Sequence, residues 1–262
     1  MTVFSELSPM LALAHRDLVK LLRDRARLVS TLIFPFIFIG ALGGALQSNF
    51  GSIAGYDFLV FTFTGVLAQT MFQTTALGLI SLIEDRENDF SQEIFISPIS
   101  RYTIIFGKII GETLVAIPQG LAVMLFGLVI QVPISAQQAV ALLVGALTVA
   151  IFGGAFGVMV LANLRSQRAA NQIFPFVMLP QFFLGGVFSP IQVLPWYLDI
   201  LSKISPMRYA VDFARGLYYA GTPEYDKVVL LDPLTNFLLM SVAFLIFMVA
   251  GTILFVRAER NR

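Results

Sequence analysis

The side chains able to do chemistry are few, and they stand between long apolar blocks. Glu84, Asp85, Glu87 and Asp89 form the one acidic cluster. Such a cluster binds a divalent cation or relays protons when a pocket encloses it; in a charged loop it reads as a solvated surface that faces a partner. Gly107-Lys108 resembles the end of a phosphate-binding loop, but Ile109 stands where Ser or Thr would ligate magnesium, and no Gly precedes Gly107 by five residues. His15 is the single His and sits among charges near the N-terminus, where a solvated side chain is expected. Cys is absent, which removes thiolate nucleophiles, disulfides and Cys-bound metals. No HExxH or GxSxG is present. The chain is therefore expected to be no enzyme, with no metal site and no cofactor of its own.

The remaining polar groups are neutral and lie inside apolar stretches. Thr62, Thr64, Gln69, Thr70, Gln73, Thr74 and Thr75 share one stretch, Gln119 lies in another, and Gln172 and Gln181 in a third. Hydrogen bonding between helices accounts for most of them. A polar stripe along an amphiphile pathway is the second reading for Gln69, Gln73, Gln172 and Gln181. No charged side chain falls at the middle of an expected span, which weighs against a proton- or sodium-driven carrier and against an ion channel.

The elements that must position these residues are membrane helices. Of 262 residues 57% are hydrophobic and 13% charged, whereas a soluble domain carries about 25% charged residues. The mean hydropathy is +0.83, and apolar intervals with few or no charges, long enough to cross a hydrocarbon core, place six spans, at 28–50, 58–82, 107–130, 138–162, 171–188 and 234–256. The segment Gln131-Val132-Pro133-Ile134-Ser135, with Gln137-Gln138, divides the third span from the fourth. Gly40/Gly44 and Gly153/Gly157 are GxxxG pairs that let backbones approach, within one chain or across a dimer. Pro35, Pro118, Pro175 and Pro180 are expected to kink their spans.

Lys and Arg set the orientation. Arg16, Lys20, Arg23, Arg25 and Arg27 precede the first span; Arg86, Arg101 and Lys108 follow the second; Arg165 and Arg168 follow the fourth; Arg257, Arg260 and Arg262 close the chain. The first two loops on the opposite side carry none, so both termini are expected in the cytoplasm. Residues 5–27 read as an interfacial amphipathic helix, with Leu7, Leu11, Ala14, Leu18 and Leu21 on one stripe and Arg16, Lys20, Arg23 and Arg27 on another. No secretory leader is expected, since these residues lack an apolar h-region. Between the last two spans, residues 189–232 are cut by Pro190, Pro195, Pro206 and Pro223. Their charges recur at helical spacing, Asp199 with Lys203, Arg208 with Asp212, and Asp212 with Arg215. The stretch reads as a broken, re-entrant helical pair with aromatic anchors, or as a cap of two interfacial helices.

These features together resemble the permeases of the ABC type-2 exporter family over nearly the whole chain. Two runs carry the resemblance. Glu84-Asp85-Arg86-Glu87, Ser97-Pro98-Ile99-Ser100-Arg101 and Gly107-Lys108 are similar to the family's cytoplasmic coupling loop, at 84–103, and the start of its third span. Leu184-Gly185-Gly186-Val187-Phe188-Ser189-Pro190, Leu194-Pro195-Trp196, Pro206-Met207-Arg208-Tyr209 and Arg215 are similar to its C-terminal signature. Gln181 departs from the family's pattern, which is apolar there.

The resemblance implies an all-α, single transmembrane domain over 1–262 in a cell inner (plasma) membrane. It would be paired with a second copy or a close relative and driven by two separate ATP-binding-cassette ATPase subunits that bind ATP and magnesium. Membrane lipid is the remaining partner, with no nucleic acid. Glu84, Arg86 and Glu87 would make polar contacts to the ATPase, and Phe90, Ile94 and Phe95 would fill its groove. Phe34, Phe38, Gln69, Gln73, Gln172 and Gln181 would border the substrate pathway; Pro195, Trp196, Pro206, Arg208 and Arg215 would form the outer gate. Spans rich in Phe and poor in Tyr and Trp tilt the substrate toward a drug, antibiotic or lipid rather than a lipid-linked glycan or polysaccharide. A non-transporting membrane scaffold or sensor is the reading from another class.

Overall fold

The computed structural model describes residues 25–87, 101–162 and 166–260, together with Val19 and Leu164. Most of the expected interfacial helix 5–27 lies outside the described residues, as do Phe90, Ile94 and Phe95 and the side chains of Arg86 and Glu87. Among the described residues the chain is helical and has no strand. The helices are α1 (Arg25–Ile37), continued by a π-helical turn (Phe38–Gly43) into α2 (Gly44–Ala54); α3 (Phe58–Gly78); α4 (Ser81–Glu87); α5 (Arg101–Val129); α6 (Ala136–Leu161); α7 (Gln167–Leu184); α8 (Trp196–Ile204); α9 (Pro206–Tyr219); α10 (Tyr225–Val228); and α11 (Pro233–Arg260).

Among the described residues five stretches are long and apolar enough to cross a membrane: Thr31–Ala54, Phe58–Glu84, Tyr102–Val129, Ala136–Leu161 and Tyr225–Arg257. The helix expected as the fifth span, α7, is not among them, because Gln167, Arg168, Asn171 and Gln172 occupy its opening turns.

Local chemistry sets the boundaries and shifts several of them from the expected ones. Asp57 caps α3, accepting from the Leu59 and Val60 N–H groups at 2.7 and 3.2 Å. Ser135 and Gln138 close a reciprocal capping box on α6, so Gln137 and Gln138 belong to the first turn of that helix rather than to the preceding loop. Ser166 caps α7 through the Ala169 N–H, and Gly185-Gly186 ends it, with Gly186 at φ +70°; the helix therefore runs four residues earlier at each end than 171–188. The first span continues past residue 50 to Ala54, where Gly55 takes φ +72°. The third helix begins at Arg101 rather than at 107, since Ile104 and Ile105 already pack inside. The second span breaks inside 58–82. α3 stops at Gly78, whose carbonyl accepts the Ser81 hydroxyl, and the chain turns through Leu79 and Ile80 into α4.

α3 is the axis of the bundle. Of its apolar window 72% is buried, against 17% for the first helix, which places the first helix at the periphery. A helix apolar on every side belongs in such a central position. α3 packs against α5, α6 and α9, and α6 in turn against α11. Its closest neighbour is α6, whose Gly153 and Gly157 face it: a Cβ at either would stand 2.2 Å from the Phe72 carbonyl oxygen or 2.7 Å from that of Ala76. This GxxxG pair is thus used within the chain. Where lipid supplies no hydrophobic drive between helices, close backbone contact of this kind is what holds them.

Candidate functional site

The loop 131–135, the turn at Gly55 and residues 185–232 gather at one end of the bundle, the far end; the end of α3, α4 and the start of α5 mark the other, the loop end. At the far end the Tyr218 hydroxyl donates to the Pro133 carbonyl, Gln138 Nε2 to the Tyr218 carbonyl at 2.8 Å, and Lys227 Nζ to the Gly55 carbonyl at 3.0 Å.

The region between α7 and α11 folds from its prolines and its polar side chains. Pro195 precedes the first turn of α8, and Pro206 opens α9, where a missing N–H costs nothing. α8 and α9 form a helical pair bonded where they meet, around the turn at Ser205. Arg208 Nη1 donates to Ser202 Oγ at 2.8 Å and to Asp199 Oδ1 at 3.5 Å, and the Tyr209 hydroxyl donates to the Lys203 carbonyl at 2.7 Å. Asp199 also pairs with Lys203 at 2.7 Å as the spacing predicts. The Lys203 hydrogen bond, aided by the charges of Lys203 and Arg208, holds the Asp199 carboxyl below the usual carboxylate range.

The expected pairing of Asp212 with Arg208 gives way to a different use. Asp212 is buried and accepts from the Leu230 and Leu231 N–H groups, each at 2.8 Å, and from Asn236 Nδ2 at 2.7 Å, so it clasps α9 to the start of α11. Charge pairs at helical spacing could not disclose this, since the partners are backbone groups of a later segment.

Arg215, also buried, reaches from α9 to the head of α3. Its Nη2 donates to the Gly186 carbonyl at 2.7 Å, to that of Val187 at 3.3 Å and to that of Phe61 at 3.4 Å, and its guanidinium carbon lies 3.5 Å from the centroid of the Phe61 ring. The planar fork of Arg serves several acceptors and a ring face together, which a Lys ammonium cannot. Space for this seam comes from Gly65, where a Cβ would stand 2.3 Å from the Val187 carbonyl oxygen and 2.9 Å from Arg215 Nη2.

The other residues expected at the gate and the pathway scatter. Trp196 is 76% exposed on the outer face of α8, beside the Tyr197 ring. Phe34 and Phe38 of the first helix meet Phe182 and Phe188, with ring centroids 6.0 and 4.6 Å apart. Gln181 is buried, accepting from the Ser205 hydroxyl at 3.5 Å and the Met207 N–H at 3.4 Å, so it anchors the turn between α8 and α9 to α7. Gln69, buried in α3, bonds Gln73, while Thr74 donates to Gln119 Oε1 at 2.7 Å across to α5. Gln172 is exposed and lines, with Ser166, Gln167, Arg168 and Asn171, an open cavity of about 590 Å³ at the head of α7.

Glu84, half-buried at the loop end, is the one expected coupling residue with a described side chain. Close by lies a pair that sequence reasoning missed. Lys108 Nζ stands 3.3 Å from Glu112 Oε1, with side chains 1% and 5% exposed. The bundle therefore encloses charges after all: Lys108 and Glu112 in α5, and Asp212 and Arg215 in α9. The i,i+4 spacing of Lys and Glu is the available signal, obscured because Lys108 falls at the edge of a span expected to start at 107.

Residues 9–219 match the family described as ABC-2 type transporter. A chain of Cyanophora paradoxa named as a transport permease, ycf38, is 24% identical over 221 residues, covering 83% of this chain and 76% of that relative. The chain of the same name in Porphyra purpurea is 23% identical over 213 residues, 79% of this chain and 72% of its own length. An Escherichia coli K12 protein named as a multidrug ABC transporter permease, YbhR, is 27% identical over 144 residues, 53% of this chain but only 38% of that relative.

Proposed function

The chain belongs to the ABC-2 type transporter family, and from that premise we propose that it is the membrane-spanning permease subunit of an ATP-binding-cassette exporter. It is a multi-pass membrane protein by its family and its long apolar helices. In this reading α7 crosses as the fifth of six spans, its polar opening turns facing the cytoplasm and protein rather than lipid, and α8–α9 enter and leave from the outer side without crossing. Both termini are cytoplasmic in the inner (plasma) membrane. Two copies, or this chain and a close relative, enclose the pathway. Two ATPase subunits, which bind the ATP and magnesium, dock on residues 84–103.

The observation that carries this reading is the Arg215 seam. The far end of α3 is tied to α9 and to Gly186-Val187 by bonds of a buried cation to backbone carbonyls. Opening a release path there means parting a desolvated guanidinium from its acceptors, a free-energy cost that partner ATPase subunits would meet. A hydrophobic or amphiphilic cargo such as a drug, antibiotic or lipid fits the Phe34, Phe38, Phe182 and Phe188 rings better than a glycan does.

Reconstitution of the chain with the ATPase encoded beside it tests the reading. Candidate amphiphiles are expected to stimulate ATP hydrolysis, and replacing residues 84–95 to abolish the stimulation. An ATPase that neither co-purifies nor responds to those replacements would sink the exporter reading.

A further inference from the structure

α3 touches two of the buried cation sites, those of Lys108 and Arg215. Phe61 and Gly65 at its far end meet Arg215 and Val187. Gly78 at its loop end lies beneath Glu112, whose carboxylate oxygen is 1.9 Å from where a Cβ of Gly78 would stand. At 1.5 Å rise per residue the two contacts are about 25 Å apart along the helix.

The loop-end site joins two arms of the chain. α3 ends at Gly78 and turns through Leu79 and Ile80 into α4, which leads into residues 88–100; α5 returns from them at Arg101 and carries Lys108 and Glu112. The carboxylate of one arm thus rests on the last turn of the other, one helical turn from its ammonium partner. Stability alone gives a poor account of this arrangement. A buried ion pair pays desolvation that apolar side chains of the same size avoid, and exchange for such side chains is often neutral or stabilising.

We infer that Lys108 and Glu112 are positioning residues for the coupling between the ATPase and the far end. The pair holds the loop end of α3 against α5, so that displacement of residues 84–103 drives both arms as one body. α3 then carries the displacement as a rod to the Arg215 seam. This inference rests on the reading of 84–103 as the ATPase contact.

The test exploits a chain without cysteine. Ser189→Cys, exposed and two residues beyond Val187, carries an environment-sensitive fluorophore. The complex with the co-encoded ATPase sits in phosphatidylethanolamine/phosphatidylglycerol nanodiscs. The readout is the change in emission on adding Mg-ATP and vanadate. Lys108→Met/Glu112→Leu is expected to keep the bound ATPase and the melting temperature while reducing the response about five-fold or more. Lys108→Arg, which preserves the pair, keeps the response. Gly78→Ala, which displaces the Glu112 carboxylate and leaves both charges present, lowers it and carries the test should the double variant fail to assemble. A double variant, or a Gly78→Ala variant, that responds as fully as the parent overturns the inference while the exporter reading stands. A parent chain that retains no ATPase overturns that reading and the inference with it.

Discussion

The two ends of α3 each meet a buried cation, and the cations are satisfied in opposite ways. At the loop end Lys108 has a carboxylate on its own helix, 3.3 Å away. At the far end Arg215 rests on the carbonyls of Gly186, Val187 and Phe61 and on the Phe61 ring. A carboxylate can be removed by one substitution, which takes the opposite charge away from a buried cation. Carbonyls belong to the backbone and persist whatever side chain is present, so of the hydrogen-bonding groups in the far-end seam only the Arg can be lost to a substitution. One end can lose either charge, the other only the cation.

The largest expected effect follows from that asymmetry. Glu112→Leu alone, which takes the carboxylate at 3.3 Å from the buried Lys108 ammonium, should cost about 3–5 kcal/mol, read as a fall in thermal stability in detergent. The paired replacement Lys108→Met/Glu112→Leu should recover most of it. Equal losses in the single and double variants would erase the distinction between the two ends. Arg215→Met comes next. It strips the donors from carbonyls that remain buried and should cost about 2–3 kcal/mol, with Arg215→Lys restoring only a part, since an ammonium cannot reproduce the fork.

The glycines sharpen the contrast with smaller effects. A Cβ at Gly65 would strike the Val187 backbone, whereas one at Gly78 would strike the end of the Glu112 side chain. Gly65→Ala should therefore cost about 1–3 kcal/mol as overpacking against atoms that cannot yield, and Gly78→Ala less, because Glu112 can swing aside; paired melting curves decide the order. The smallest effect is on the surface of α8. Asp199 has its carboxyl held down by Lys203 and Arg208. A depressed folded-state value means that its contribution is present above the ordinary carboxylate value of about 3.9 and is lost as pH falls through the lower folded one. Asp199→Asn should thus differ slightly from the parent in melting temperature at neutral pH and converge with it in acid.

Much of the helical frame was legible because lipid-facing helices write themselves as uncharged blocks. Capping residues such as Asp57 and Ser166, and the stop at Gly55, then fix their ends. α7 read as a span from its apolar body, yet Arg168, Asn171 and Gln172 make it the most polar of the long helices, and its lipid exposure depends on neighbours that no single sequence displays. The charged residues of α8 and α9 were legible as helical but not in their partnerships. Arg208 chooses Ser202 and Asp199 on the adjacent helix over Asp212 one turn away on its own. The carbonyls beneath Arg215 leave no mark in residue types. The break in α3 after Gly78 was hidden because Leu79, Ile80 and Leu82 are apolar and continue the hydrophobic run.

The clasp at Asp212 carries a consequence for how the protein is made. Its carboxylate depends on the Leu230 and Leu231 N–H groups and on Asn236, all of which leave the ribosome after α9 does. Until they arrive, Asp212 lacks the three donors that hold its carboxylate inside the bundle, and α9 is favoured at the aqueous surface. Synthesis of the final helix is thus the event that lets α9 settle, and a nascent chain halted before Leu230 would keep the far end unfinished.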